Sequence, residues 1–170
     1  MRFTIFLLTM SAIAGLAAAQ DSMTDAGAGW APEFKMAGRQ IITLAEAIPA
    51  DKYGWRPGPG VRSVSEVLMH TASANYFFLR SMAVKAGEDL PKDPEKSVTV
   101  KADVVRWLKA SFEAVEENYP KIDKQKAVKF LGHDSTCEGV LLRAPAHANE
   151  HLGQMIAYAR VNGVVPPWSK

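Results

Sequence analysis

The sequence is poor in cysteine, because Cys137 is the only one among 170 residues. A single cysteine cannot form a disulfide within the chain, so stability must come from a hydrophobic core and from any metal ion that the chain binds. Cys137 begins a predicted helix, where the helix dipole favours the thiolate. We expect a partly buried, unreactive side chain there, with a reactive thiol as the alternative.

The chain also lacks an excess of charge of either sign. Twenty lysines and arginines oppose eighteen aspartates and glutamates, which leaves a formal charge of +2. Nucleic-acid binding requires clustered basic residues, and the densest basic run, residues 121–129, is interpreted as a solvated connection. We therefore expect no nucleic-acid partner.

Sustained strand-like alternation is absent as well. Four stretches instead have helical periodicity, and breaks rich in proline and glycine separate them, which predicts an all-α fold. Ser63 and Ser135 each precede a glutamate by three residues, as in the capping box that starts a helix. The predicted helices run from near Pro32 to before Pro49, from Ser63 to Gly87, from Thr99 to Pro120 and from Ser135 to about Asn162.

The N-terminal segment has the features of a secretory signal peptide. One basic residue, Arg2, precedes a short apolar run that ends in Ala17-Ala18-Ala19. This pattern predicts a signal peptide over residues 1–19, cleaved after Ala19, with an uncleaved N-terminal anchor as the alternative. Either way the rest is exported, so we expect a periplasmic or secreted protein without a membrane span after cleavage. About 150 residues then remain, enough for a single domain over residues 20–170.

The sequence has four histidines, and three of them are spaced so that they could form one metal site. His147 and His151 stand four residues apart on the fourth predicted helix, so they share one face. They follow Val140 and Ala144 at helical spacing, on the stripe that should face inward. His70 lies on the second helix, at the flank of its apolar stripe. The three could converge inside a bundle and hold one metal ion, or they could be ordinary interior histidines satisfied by hydrogen bonds.

The residues around His147 and His151 limit the kinds of metal site that the sequence could form. Ala148 stands where a zinc protease would carry its catalytic glutamate, so that class is disfavoured. Glu150 is interpreted as a surface carboxylate, with contact to a histidine as the alternative. Gln154 could hydrogen-bond a ligand, a metal-bound water or a substrate, or could simply close the end of the bundle. His133 is expected to be a solvated loop residue, and no carboxylate pair is evident near the histidines.

Together, four segments of the sequence resemble the DinB family of four-helix-bundle metalloproteins. They are LAEAIPADKYGWRP (44–57), VRSVSEVLMH (61–70), HANEHLGQ (147–154) and YARVNGVVPP (158–167). The resemblance implies that His70, His147 and His151 bind one divalent ion, commonly nickel, zinc or iron. It also implies a four-helix bundle with a long crossover connection, for which the break between Gly87 and Thr99 is long enough.

The same resemblance leaves the reaction open, since relatives include thiol-dependent S-transferases and an isomerase. We expect an exported metalloenzyme whose three-histidine site keeps an open coordination position, for hydrolysis or thiol transfer on a small-molecule substrate. A non-catalytic bundle that binds a metal or a small ligand is the alternative, and a bundle without an ion is the third. Bundles of this size often pair, so a homodimer is also expected.

Overall fold

A computed structural model describes residues 27–87 and 89–169, so the predicted signal peptide lies outside the described residues. The predicted helical bundle is confirmed, with a small β-hairpin in addition. In the described part of the chain the helices are α1 (Trp30–Ala47), α2 (Val64–Ser81), α3 (Pro94–Ser97), α4 (Lys101–Asn118) and α5 (Cys137–Val161), and the strands are β1 (Ala127–Phe130) and β2 (His133–Thr136).

The four long helices form a bundle in which α1 and α2 each pack against both α4 and α5. Helices α2 and α4 begin at the same end. There the Ser65 amide donates to the Tyr53 carbonyl at 2.9 Å, and Lys101 Nζ lies 5.9 Å from the Tyr53 ring. Further along, Asn75 Nδ2 donates to Ser111 Oγ at 3.1 Å. Since α2 and α4 therefore run in the same direction, residues 82–100 must return along the bundle, and they form the predicted long crossover.

The inward faces of the helices form one apolar core. On α5 the predicted stripe is buried, and it includes His147 and His151, which are 8% and 7% exposed. Burial of each large apolar side chain contributes about 1.5–3 kcal/mol, so this core is the main source of stability. None of the described helices is both long and apolar enough to cross a membrane.

Three predicted helix ends are wrong by a few residues. Helix α2 stops at Ser81 rather than near Gly87, because Ala83 adopts a left-handed conformation with φ 61°. The Ala83 and Val84 amides then donate to the Arg80 and Leu79 carbonyls, which closes the last turn. Such a position usually holds glycine, so alanine hides the stop from sequence reasoning.

The other two errors concern helix starts. Val100, and not Thr99, precedes α4, and it makes no side-chain cap. The N-cap of α5 is Thr136, one residue after the predicted Ser135, because the Thr136 hydroxyl accepts from the Gly139 amide. The Ser63 capping box of α2 is present in full.

The hairpin before α5 was not predicted. Strands β1 and β2 pair antiparallel with Phe130 opposite His133, so Leu131 and Gly132 form a two-residue turn. Both turn residues have positive φ, 49° and 84°, as a type I′ turn requires. Residues 121–129 are exposed or half-buried, as expected for a solvated connection, although Ala127, Val128 and Lys129 belong to β1.

Helix α5 contains Pro145 in its interior. Proline has no amide hydrogen, so the carbonyl of Leu141, four residues earlier, loses its usual helical partner. The indole nitrogen of Trp30 donates to that carbonyl instead. The first residue of α1 thus compensates the break in α5 and ties the two helices together.

Candidate metal centre

The three histidines singled out in the sequence lie side by side between α2 and α5. His147 Nε2 lies 3.3 Å from His70 Nε2 and 3.1 Å from His151 Nε2. One ligand atom from each residue lies within 4.8 Å of the others, an arrangement that could hold a metal ion. His70 is half-buried, and the pair on α5 is buried.

Two other polar residues considered in the sequence lie apart from this group. His133 is exposed in β2, as expected for a solvated residue, although it lies in a strand. Glu150 is also exposed, and its carboxylate accepts from Arg143 at 3.1 Å rather than from a histidine. The group of potential ligands within the described residues therefore consists of three imidazoles.

A carboxylate that sequence reasoning missed holds the outer nitrogen of His70. Glu95, on α3 in the crossover, places Oε1 2.8 Å from His70 Nδ1, while its other oxygen accepts from Arg62 Nε at 2.7 Å. Burial opposes ionisation of Glu95, but hydrogen bonds from Arg62 and His70 outweigh it and lower the pKa. An ionised carboxylate only accepts, so His70 Nδ1 carries the proton.

Gln154 holds the outer nitrogen of His151 in the same way. The Tyr158 hydroxyl donates to the Arg62 carbonyl at 3.2 Å, so it must accept from Gln154 Nε2, 3.0 Å away. That orientation turns Gln154 Oε1 toward His151 Nδ1 at 2.9 Å. The Arg62 carbonyl thus sets the orientation of the Tyr158 hydroxyl and, through it, of the Gln154 amide. Because Gln154 Oε1 can only accept, His151 Nδ1 carries the proton.

His147 is held differently from its two neighbours. Its buried Nδ1 has no hydrogen-bond partner among the described residues. The ring instead packs against Phe78, with centroids 5.7 Å apart and the planes nearly perpendicular. Burial, reinforced by the nearby rings of His151 and His70, lowers the pKa of His147 to about 4. Burial also lowers the pKa of His151, so both imidazoles are neutral at pH 7, the form that binds metals.

These proton positions fit a bound cation. With their Nδ1 atoms protonated, His70 and His151 both direct Nε2 lone pairs toward His147 Nε2. A proton on His147 Nε2 could make a good hydrogen bond to one of those lone pairs but not to both. A cation can instead accept a lone pair from the Nε2 atom of each of the three histidines. Two nitrogens that each lie about 2.0–2.1 Å from a tetrahedral ion are about 3.3 Å apart, close to the separations of 3.1 and 3.3 Å found here.

Cys137 takes no part in the centre. Its side chain is 1% exposed at the start of α5, and burial raises the pKa of the thiol. Desolvation therefore outweighs the effect of the helix start on the thiol. The side chain is fully buried rather than partly buried as expected, which favours the expected unreactive cysteine over a reactive thiol.

Comparison with known proteins identifies the family. The model of the DinB superfamily matches residues 33–155. A solved DinB-like protein from Bacillus cereus is similar in structure, with a TM-score of 0.66 and 18% identity over 77% of this chain and 89% of that one. At that identity the likeness shows the fold alone. No curated protein matches the chain significantly. Because the family model covers most of the bundle and all three histidines, the chain belongs to the DinB superfamily.

Proposed function

We propose that this protein binds one divalent metal ion through His70, His147 and His151 and uses it as a metalloenzyme on a small molecule. The observation that carries the proposal is the convergence of three Nε2 atoms, two of them with protonated outer nitrogens. Three imidazole ligands suit nickel, zinc or iron, and three protein ligands leave a coordination position open.

The described residues around the centre position the ligands. Glu95 and Gln154 fix the orientation and the proton of two imidazoles, and Phe78 packs against the third. When bound there, a divalent ion supplies Lewis-acid chemistry, which lowers the pKa of a coordinated water or thiol and makes it nucleophilic at neutral pH. Hydrolysis is the first candidate reaction, because a signal peptide over residues 1–19 would export the chain away from cytosolic thiol cofactors. Thiol transfer is the second.

A non-catalytic role as a metal- or ligand-binding bundle is the alternative function. One observation favours it: the two polar side chains that hydrogen-bond to the histidines are already engaged, Glu95 by Arg62 and His70, and Gln154 by His151 and Tyr158. A general base must be free to accept a proton from the reacting group, and neither Glu95 nor Gln154 is free to do so.

Elemental analysis combined with activity assays tests the proposal. Protein purified without chelator should contain one equivalent of a divalent metal, and His147→Ala and His151→Ala should lose it. Loaded protein should hydrolyse members of a panel of esters, amides and lactones, or transfer a thiol. Full metal occupancy with inactivity on both panels would favour the non-catalytic bundle. Absence of metal would contradict the metalloenzyme and a metal-binding bundle, and would leave a bundle without an ion.

Export needs a separate experiment. In a bacterial host, the full chain should accumulate in the periplasm or the medium and begin at Gln20, as N-terminal sequencing of the purified protein would show. A cytosolic protein that still begins with residues 1–19 would contradict export and restore thiol transfer as the first reaction to test.

A further inference from the structure

A cleft of about 490 Å³ opens beside the metal centre, and it is large enough for a small organic molecule. His70 and His147 form part of its wall, so an occupant would lie next to two of the three imidazoles. The remaining wall comes from the C-terminal half of α2, from Phe130 and Leu131 of the hairpin, and from Arg143 on α5. The hairpin that sequence reasoning missed therefore helps to form this cleft.

Much of the wall is aromatic. Phe77 and Phe78 on α2 both contact Phe130 of β1, with ring centroids 5.8 and 6.0 Å apart. Phe77 is 38% exposed, and Leu131 in the hairpin turn is 68% exposed. Large apolar side chains left open to water around a concave site are typical of ligand pockets, because a ligand covers them.

The charged part of the wall is positive only. Arg80 and Arg143 line the cleft, and none of the described lining residues is acidic. Arg143 is paired with Glu150 outside the cleft, whereas Arg80 forms no ion pair within residues 27–87 and 89–169. An unpaired guanidinium beside an apolar cleft is suited to a carboxylate, which it can bind through two parallel hydrogen bonds.

Ser73 adds a polar group to the same wall. Its buried hydroxyl has no hydrogen-bond partner among the described residues. An unsatisfied buried hydroxyl costs free energy that a ligand with an acceptor atom would recover. Such groups are rare in folded proteins, and a ligand or a water molecule in the cleft can supply the missing partner once the Ser73 hydroxyl turns toward it.

We infer that this cleft binds a small organic anion with an aromatic or similarly apolar body, whose carboxylate pairs with Arg80 while its body packs on Phe77, Phe78 and Phe130. The inference rests on the proposed function only in calling this molecule the substrate; binding itself needs no reaction. The substrate class is thus an apolar monocarboxylate, with its reactive group toward His70 and His147.

Binding of three probes to the metal-loaded protein tests the inference by calorimetry. Phenylacetate has both features, phenylacetamide lacks the charge, and acetate lacks the ring. We expect phenylacetate to bind tightest, and Arg80→Gln to weaken its binding roughly tenfold, as loss of a charge-assisted hydrogen bond should. Phenylacetamide binding should be unchanged by Arg80→Gln. Arg160→Gln, which removes the same charge from an exposed position of α5 outside the cleft, is the matched control.

Equal binding of phenylacetate and phenylacetamide, or an Arg80→Gln variant that binds phenylacetate as the wild type does, would overturn the inference. A second arm repeats the titration with metal-free protein. Phenylacetate binding that disappears with the metal and ignores Arg80→Gln would place the carboxylate on the ion and also overturn it. If the protein contains no metal yet binds phenylacetate tightest in a way that depends on Arg80, the inference about the cleft is supported and the proposed metalloenzyme function is contradicted.

Discussion

Two of the three central imidazoles depend on single side chains for their orientation. Glu95 and Gln154 occupy equivalent places, each against an outer nitrogen, but Glu95 is charged and Gln154 is neutral. A carboxylate makes the stronger hydrogen bond and raises the basicity of the ring, so Glu95 should contribute more to metal affinity.

Glu95→Gln should lower the metal affinity of the centre by about 10- to 100-fold, the usual effect of removing such a partner. The substitution keeps the size of the side chain and removes its charge, so the helical content should not change. Competition with a chromogenic chelator measures the affinity directly. Glu150→Gln is the control, because Glu150 lies beside His151 in sequence but bonds Arg143. Equal losses in both variants would show a general charge effect rather than positioning by Glu95.

At this scale the sequence predicted which histidines come together and singled out Gln154, which contacts His151, but it missed Glu95. His147 and His151 are local in sequence, and helix phase places them on one buried face. Glu95 lies 25 residues from His70, in a proline-bearing break without periodicity, and only the return path of the crossover brings them together. Likewise, Phe130 and Arg80 meet at one cleft through tertiary packing alone.

Secondary-structure elements were predictable where a local signal exists. The complete Ser63 capping box fixed the start of α2, and Gly163, with φ 75°, follows the predicted end of α5. The hairpin gave no such signal, because its strands are four residues long and Leu131 stands where a type I′ turn favours asparagine or aspartate. Ala83 hid the end of α2 for the same reason, an uncommon residue in a left-handed position.

The N-cap of α5, which is Thr136 rather than the predicted Ser135, can be tested by substitution. Thr136→Ala should lower the free energy of unfolding by about 1 kcal/mol, because the Gly139 amide loses its side-chain acceptor. Ser135→Ala should have a smaller effect, since its hydroxyl makes only a 3.4 Å contact with the next carbonyl. Urea denaturation of the two variants decides between them. A larger loss in Ser135→Ala would restore the capping box predicted from the sequence.

Glu66 links the start of α2 to two other segments and makes stability depend on pH. Its carboxylate contacts Arg56 at 3.1 Å and Lys96 at 2.6 Å. Burial raises the pKa of Glu66, but hydrogen bonds from Lys96, the Ser63 amide and Arg56 outweigh burial and lower the pKa to about 2. In the unfolded chain the group titrates near its ordinary value of 4.5.

Because the folded pKa lies below the unfolded one, Glu66 stabilises the protein above about pH 4.5 and loses this effect as the pH falls toward 2. Glu66→Gln should therefore be less stable than the wild type at pH 7, by about 2 kcal/mol after solvent screening of the exposed Arg56 and Lys96. The difference should shrink toward pH 2. Urea denaturation across this range measures it, with Glu113→Gln as the exposed control. A difference independent of pH would assign the loss to packing and not to charge.

The whole molecule separates its core from its candidate metal centre. The apolar core extends over all four long helices, whereas the histidines occupy one site between α2 and α5, with His70 partly open to solvent. A site that only stabilises the fold would resemble a zinc finger, which is unfolded without metal. Here the core is complete without an ion, so the protein should fold in the absence of metal and bind the ion afterwards.

Metal-free wild type and His70→Ala should therefore show the same helical circular dichroism spectrum. Added zinc or nickel at 100 times its dissociation constant should raise the free energy of unfolding of the wild type by about 2.7 kcal/mol. It should leave His70→Ala unchanged, because two imidazoles bind far more weakly than three. Thermal unfolding with and without metal measures both effects, and His133→Ala, which alters the exposed histidine of β2, should respond like the wild type. Metal-free protein without helical structure would instead show that the ion holds the bundle together, and an open functional site would lose its main support.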